Sequence, residues 1–287
     1  MEREAELAII RRAYAQQTLA IANVQNERLE DAYANVRRED YLGPGPWPLF
    51  RYPAGYVPTP SSDPVYLYCD ALFGIVTERR LNNGQPSGHA TWIGAAVPNN
   101  GDHVVHIGAG VGYYSAILAH LAGPTGRTTA IEFDEVLAGR AAENFRGAAN
   151  VTVLQGDGTA IPFDPADLIY VNAGATHPVE HWLDHLNDGG RLIVPLTTET
   201  NFSNPGSIRA LGAYFLITRR GGDYFAKWIS YVGIFPCEGA RDPSSEAALA
   251  LAFKTPRWNE VTRLYRTGDL PEEQCWLRAP NWSLAYH

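Results

Sequence analysis

The chain of 287 residues is poor in cysteine, in positive charge and in long apolar runs. Its three cysteines, Cys69, Cys237 and Cys275, are an odd number, set far apart and without CxxC spacing. That pattern argues against a disulfide frame or a zinc site and reads as reduced thiols of a cytoplasmic protein. Lys and Arg number 23 against 31 Asp and Glu, so the balance is 23 − 31 = −8. Nucleic acid and anionic membrane surfaces both call for clustered positive charge, and neither is expected as a partner. No apolar run approaches the roughly 18 residues of a bilayer span. The start, Met1-Glu2-Arg3-Glu4, lacks the basic and then apolar character of a signal peptide.

What is present suits a packed core. The apolar fraction is 45%, and the charged fraction of 19% lies below the roughly 25% of average globular chains. At roughly 150 residues per domain the length fits one large domain, or an α/β domain carrying an extra segment. Residues 2–22 and 26–38 space their apolar side chains as amphipathic helices. Between Tyr41 and Pro64 seven prolines alternate with Trp47, Phe50, Tyr52 and Tyr56, which predicts a stiff loop with no regular helix or central strand. Its aromatics either wrap the core or wall a substrate site.

From residue 89 short β-branched runs alternate with helical stretches. Strands are expected at 103–107, 127–133, 151–155, 168–171 and 191–196, and helices at 112–121, 134–146 and 179–186. That alternation predicts a parallel sheet covered on both faces. Two further strands, 208–218 and 223–236, flank Arg220-Gly221-Gly222-Asp223, a turn signal for an antiparallel hairpin. The expected organisation is an N-terminal helical and Pro-rich cap (1–88), a Rossmann-like domain (89–240) and a C-terminal extension (241–287) with one helix near 245–253.

The chemistry is concentrated after the first of these strands. Gly108-Ala-Gly110-Val-Gly112 runs directly into a helix, where glycines let the backbone turn sharply and helix amides face a ligand. Glu132 ends the next strand, 20 residues beyond Gly112, where a carboxylate accepts from ribose hydroxyls. A dinucleotide fingerprint would need glycine at 113, and Tyr113 stands there, which disfavours NAD. S-adenosylmethionine has no pyrophosphate, and its carboxylate suits the loop amides. Gly156-Asp157-Gly158 adds a carboxylate for the adenine amino group. The order and spacing are those of a class I methyltransferase.

The runs Val104-Val-His-Ile-Gly-Ala-Gly-Val-Gly-Tyr113, Gly156-Asp-Gly158, Asp167–Gly174 and Gly189–Leu196 together resemble the protein-L-isoaspartate O-methyltransferase family. Gly84-Gln-Pro-Ser-Gly-His-Ala90 is similar to that family's substrate motif, with Pro86 22 residues before Gly108. The resemblance covers about residues 26–236. It implies a class I fold, S-adenosylmethionine bound by His106, Gly108, Gly110, Gly112, Tyr113, Glu132, Asp157 and Gly158, and an acceptor bordered by Gly84, Gln85, Ser87, His89 and Asn172. Gln85, His89 and Asn172 are the candidates for a catalytic part.

Two positions depart from the family. His106 stands where the family has an acidic residue supporting the cofactor's methionine end. Gly84 stands where it has the serine that places the reacting carboxyl, Ser87 being three residues displaced. The expected function is therefore O-methylation of a carboxylate or hydroxyl on a peptide or small-molecule acceptor. Isoaspartyl repair and a non-catalytic cofactor-binding protein are the alternatives. His177, His181 and His185 recur every four residues on an expected helix; a solvated polar face is the expectation there, with no metal.

Overall fold

The structure, a computed structural model, describes residues 2–198 and 212–287. The first four residues of the strand expected at 208–218 lie outside them. Elements are numbered in chain order. The chain forms two compact units that interleave in sequence, one of Met1–Gly101 with Ala109–Gln155, the other of Asp102–Gly108 with Gly156–His287.

The first unit begins with α1 (Glu2–Ala22), which buries Leu7, Arg11, Tyr14, Ala15, Thr18 and Leu19 along one stripe. Then follows α2 (Glu27–Asn35), whose N-cap Asn26 accepts from the Leu29 amide at 2.9 Å. The short α3 (Glu39–Leu42) leads into the proline-rich stretch. That stretch is not a plain loop: β1 (Pro48–Arg51) and β2 (Gly55–Pro58) pair as an antiparallel two-stranded sheet with Pro48 opposite Pro58. Proline is tolerated here because it sits at strand ends of a ribbon, away from any central ladder. Trp47 packs with Leu42, Leu67, Phe73, Val111 and Leu137, while Tyr52 at the tip is exposed. A second ribbon, β3 (Gly74–Val76) with β4 (Leu81–Asn82), precedes α4 (Pro86–Gly94). After residue 109 the unit adds α5 (Tyr113–Ala122), β6 (Arg127–Glu132), α6 (Glu135–Asn144) and β7 (Val151–Gln155), with β6 and β7 parallel.

The second unit places β5 (His103–Ile107) parallel to β8 (Ala166–Val171), and β8 parallel to β9 (Leu186–Thr197). The hairpin β10 (Gly212–Arg220) and β11 (Asp223–Tyr231) continues antiparallel from β9. Beyond it the C-terminal segment contributes α8 (Pro243–Ala252) and three short strands, β12 (Arg263–Tyr265), β13 (Cys275–Arg278) and β14 (Ser283–Ala285), in the order β11-β12-β14-β13. The expected antiparallel hairpin is thus the start of a longer antiparallel region. Strands this short carry too little alternation to show in the sequence.

The expected helix at 179–186 shrinks to α7 (Glu180–Asp184). The three histidines therefore share no helical face. Nor do His181 and His185 form a solvated one: both are half-buried, with ring centroids 4.8 and 5.2 Å from Phe163. His181 Nε2 meets the Ile161 carbonyl at 3.0 Å, and His185 Nδ1 meets the His181 carbonyl at 2.8 Å.

Candidate active site

The glycine loop is where the chain passes from the second unit to the first, and its three glycines have left-handed backbones for separate reasons. Gly108 (φ +77°) lies so close to Asn172 that a Cβ would stand 3.0 Å from the Asn172 carbonyl oxygen. Gly112 (φ +94°) caps α5, and a Cβ there would stand 2.5 Å from the Phe145 ring. Gly110 (φ +57°) is different: nothing lies within 4 Å of where a Cβ would be. Backbone there faces open space next to the start of α5, a helix end with no side-chain cap. Such an end attracts anionic groups.

Glu132 stands at the end of β6, almost fully buried. One carboxylate oxygen accepts from the Gly110 amide at 2.6 Å and the other from the Asp134 amide at 3.0 Å. Burial pushes its pKa above the ordinary carboxylate range, and the amides of Asp134 and Gly110 pull it back by stabilising the charge. The carboxylate thereby fixes the loop and keeps acceptor capacity for hydroxyl donors. This open left-handed glycine held by a strand-end carboxylate is a cradle that fits S-adenosylmethionine.

The Tyr113 side chain points away from a ligand role. Its ring is buried, 6.0 Å from Tyr41 and 4.9 Å from Tyr114, and what it offers at the start of α5 is backbone. His106 likewise has no exposed surface and stacks on Tyr170 at 5.1 Å between centroids. Burial holds its pKa down at about 3, so it is neutral. Its position in the all-buried strand β5 makes it a packing residue rather than a substitute for an acidic group.

In the second unit, Asp157 turns one carboxylate oxygen onto Thr159, accepting from its amide at 2.8 Å and its hydroxyl at 2.7 Å. Gly158 has no room for a side chain, because a Cβ would meet Ile107 at 2.5 Å, and its carbonyl accepts from Trp182 Nε1 at 2.8 Å. The other Asp157 oxygen lies under Gly239, 2.4 Å from where a Cβ would stand. Gly239 belongs to a segment laid along residues 174–176 through bonds such as Gly174 N–H to the Phe235 carbonyl (2.7 Å) and Thr176 N–H to the Ala240 carbonyl (2.9 Å). Sequence reasoning missed Gly239; no local pattern connects it to Asp157. Asn172 Nδ2 donates to the Gly108 carbonyl at 3.3 Å, bracing the loop.

The motif at 84–90 opens α4. His89 is buried and stacks on Tyr114, centroids 3.4 Å apart and rings 6° from parallel. Gly84 (φ +71°) abuts it: a Cβ would lie 2.2 Å from His89 Nε2. Ser87 and Gln85 both bond Asp70, which the sequence did not single out.

Among solved structures, the fold is similar to a protein-L-isoaspartate O-methyltransferase (TM-score 0.62, 24% identity, covering 79% of this chain and 66% of that one). It is also similar to a putative protein-L-isoaspartate O-methyltransferase from Plasmodium falciparum in complex with S-adenosyl-L-homocysteine (TM-score 0.60, 16% identity, 79% and 98%). The fold is that of the class I S-adenosylmethionine-dependent methyltransferases. Residues 16–205 match the family model described as Protein-L-isoaspartate(D-aspartate) O-methyltransferase. Similar sequences include the Protein-L-isoaspartate O-methyltransferases of Ignicoccus hospitalis, 39% identical over 39% of this chain and 56% of that protein, and of Thermotoga maritima, 29% over 63% and 54%. The chain spans about half the length of these curated relatives. It belongs to the protein-L-isoaspartate O-methyltransferase family. Among the described residues no helix is long and apolar enough to cross a membrane.

Proposed function

We propose that the chain is an S-adenosylmethionine-dependent methyltransferase whose acceptor is a side-chain carboxylate of an isoaspartyl peptide or protein. The observation that carries this is Gly110, open to a ligand and tied by its amide to Glu132, in a chain of this family. Family membership favours isoaspartyl repair over the broader O-methylation expected from the sequence.

In this reading the amides around Gly110 and the start of α5 take the cofactor's carboxylate, Glu132 its ribose, and Asp157 with Gly158 its adenine end. Gly84, Gln85, Ser87, His89 and Asn172 border the acceptor. When bound, the cofactor supplies an electrophilic methyl group. A carboxylate acceptor is already a nucleophile, so the protein needs alignment and exclusion of water rather than a strong base. Neither role requires His89 to titrate.

A second reading, a different carboxylate or a hydroxyl on a peptide or small molecule, draws on Gly84. The family's serine hydroxyl is absent there, and His89 occupies the space a side chain would need. For that reason Gly84→Ser displaces His89 and does not simply restore a hydroxyl.

The test pairs calorimetry with methyl-ester formation. Wild type should bind S-adenosylmethionine, and Glu132→Ala should weaken binding by about 1–3 kcal/mol through loss of charge-assisted bonds. Methyl esters should form on an isoaspartyl peptide and not on the same peptide with ordinary aspartate. Binding without transfer to either peptide, but with methyl gain in a metabolite extract, would favour the second reading. Binding with no transfer to any acceptor would leave a non-catalytic cofactor-binding protein.

A further inference from the structure

The acceptor motif of the first unit is held by a residue outside it. Helix α4 begins at Pro86, and its own N-cap, Gln85, supplies no side-chain cap. Asp70, 17 residues before Ser87, does so. One of its oxygens accepts from the Ser87 amide at 2.8 Å; the other accepts from the Ser87 hydroxyl at 2.7 Å and from Gln85 Nε2 at 2.9 Å. A carboxylate at a helix start is favoured by the helix dipole and by its unpaired amides.

Asp70 is itself fixed from behind. Arg38, fully buried, donates to the carbonyls of Leu67 (2.6 Å) and Cys69 (3.1 Å) and reaches that of Ala71 (3.5 Å), gripping the chain on both sides of Asp70. Its guanidinium lies over the rings of Phe73, Tyr113 and Tyr14 at 5.1, 5.5 and 5.8 Å. The guanidinium is a planar fork of five fixed donors that can bond these carbonyls while its face lies against the rings, a combination the compact lysine ammonium does not offer. The order runs from Arg38 to residues 67–71, to Asp70, and to the first turn of α4 that carries His89.

We propose that Asp70 is the positioning residue of the acceptor motif, locking Gln85, Ser87 and the start of α4 into the arrangement that receives the methyl acceptor. The proposal rests on reading residues 84–90 as the acceptor segment. One chemical consequence is immediate: the Ser87 hydroxyl is already donated to Asp70, so it does not replace the hydroxyl missing at Gly84.

The experiment compares wild type, Asp70→Ala, Asp70→Asn and Ser87→Ala. It measures kcat and KM for an isoaspartyl peptide, affinity for S-adenosylmethionine by calorimetry, and hydrogen exchange of the amides of residues 86–90. Asp70→Ala should raise the peptide KM and the exchange rate roughly five- to tenfold, with cofactor affinity unchanged. Asp70→Asn should recover most of both, since its amide oxygen still accepts from the Ser87 amide. Ser87→Ala, which loses one bond of three, should cost less than Asp70→Ala. Unchanged exchange in Asp70→Ala overturns the role of Asp70, as does a parallel loss of cofactor affinity, which would mark a general defect. Damage by Ser87→Ala equal to that by Asp70→Ala also overturns it, by giving the hydroxyl a direct role. No transfer by wild type overturns the acceptor reading itself, and the exchange data then still report separately on Asp70.

Discussion

Gly110 and Gly112 are glycine for different reasons, and substitution separates them. At Gly112 a methyl group meets the Phe145 ring and the backbone is strained, so Gly112→Ala should destabilise by about 1–3 kcal/mol. At Gly110 the left-handed backbone adds some strain of its own, but a methyl group meets nothing within 4 Å and projects into the space offered to a ligand. Gly110→Ala should therefore melt within a few degrees of wild type while losing affinity for S-adenosylmethionine. Thermal denaturation and calorimetry on the pair check this; equal losses of stability would refute it. His106 gives a second test. Its folded pKa of about 3 lies below the unfolded value near 6.5. Between those values the unfolded chain binds a proton that the native chain excludes. The contribution is intact above about pH 6.5 and is lost as the pH falls toward 3, at up to about 1.4 kcal/mol per pH unit. Urea denaturation from pH 7 to 4 should show a shallower decline for His106→Phe, which keeps a ring against Tyr170. Identical slopes would mean that His106 is protonated in the native state. The glycines and Glu132 were legible because their chemistry is local in sequence. Asp70, Arg38 and Gly239 were not, since each acts on residues far along the chain and carries no pattern of its own.

At the scale of elements, the alternation from residue 103 to 197 predicted every strand and helix there to within a few residues, apart from a shorter α7 and a longer β9. The lengthening of β9 back to Leu186 follows from β8, whose Ala166 pairs with Leu186 ahead of an irregularity in register, while β10 pairs with Arg191–Thr197. Pairing across chain distance is what periodicity cannot register. The same holds for β12–β14 and the turn before β14, which together bury Leu264, Trp276, Leu277, Trp282 and Leu284. Trp282 Nε1 donates to the Ser245 hydroxyl at 3.0 Å, tying this region to α8. Each such side chain is worth about 1.5–3 kcal/mol on burial, against a total stability of about 5–15 kcal/mol. A chain ending at Thr262 would lose all five and bare the edge of β11, a template for aggregation. It is expected to be insoluble or to lack a cooperative melt; a soluble product with the wild-type midpoint would show the C-terminal strands to be dispensable.

For the whole molecule, the alternation of short strands with helices announced the α/β fold, and the motifs announced its family. The division into units was not legible, because it follows contacts rather than linear order. The first unit takes residues on both sides of β5, and the second takes β5 and everything after Gln155. That interleaving sets a schedule for synthesis. Strand β5, wholly buried in the finished protein, pairs with β8, which starts about sixty residues later. At roughly 5–20 residues per second, the ribosome leaves Val104, Val105 and Ile107 without their β8 partners for several seconds. Slow translation between residues 107 and 166 would prolong that interval, and the yield of soluble protein should depend on codon usage in this stretch more than on that of the C-terminal strands.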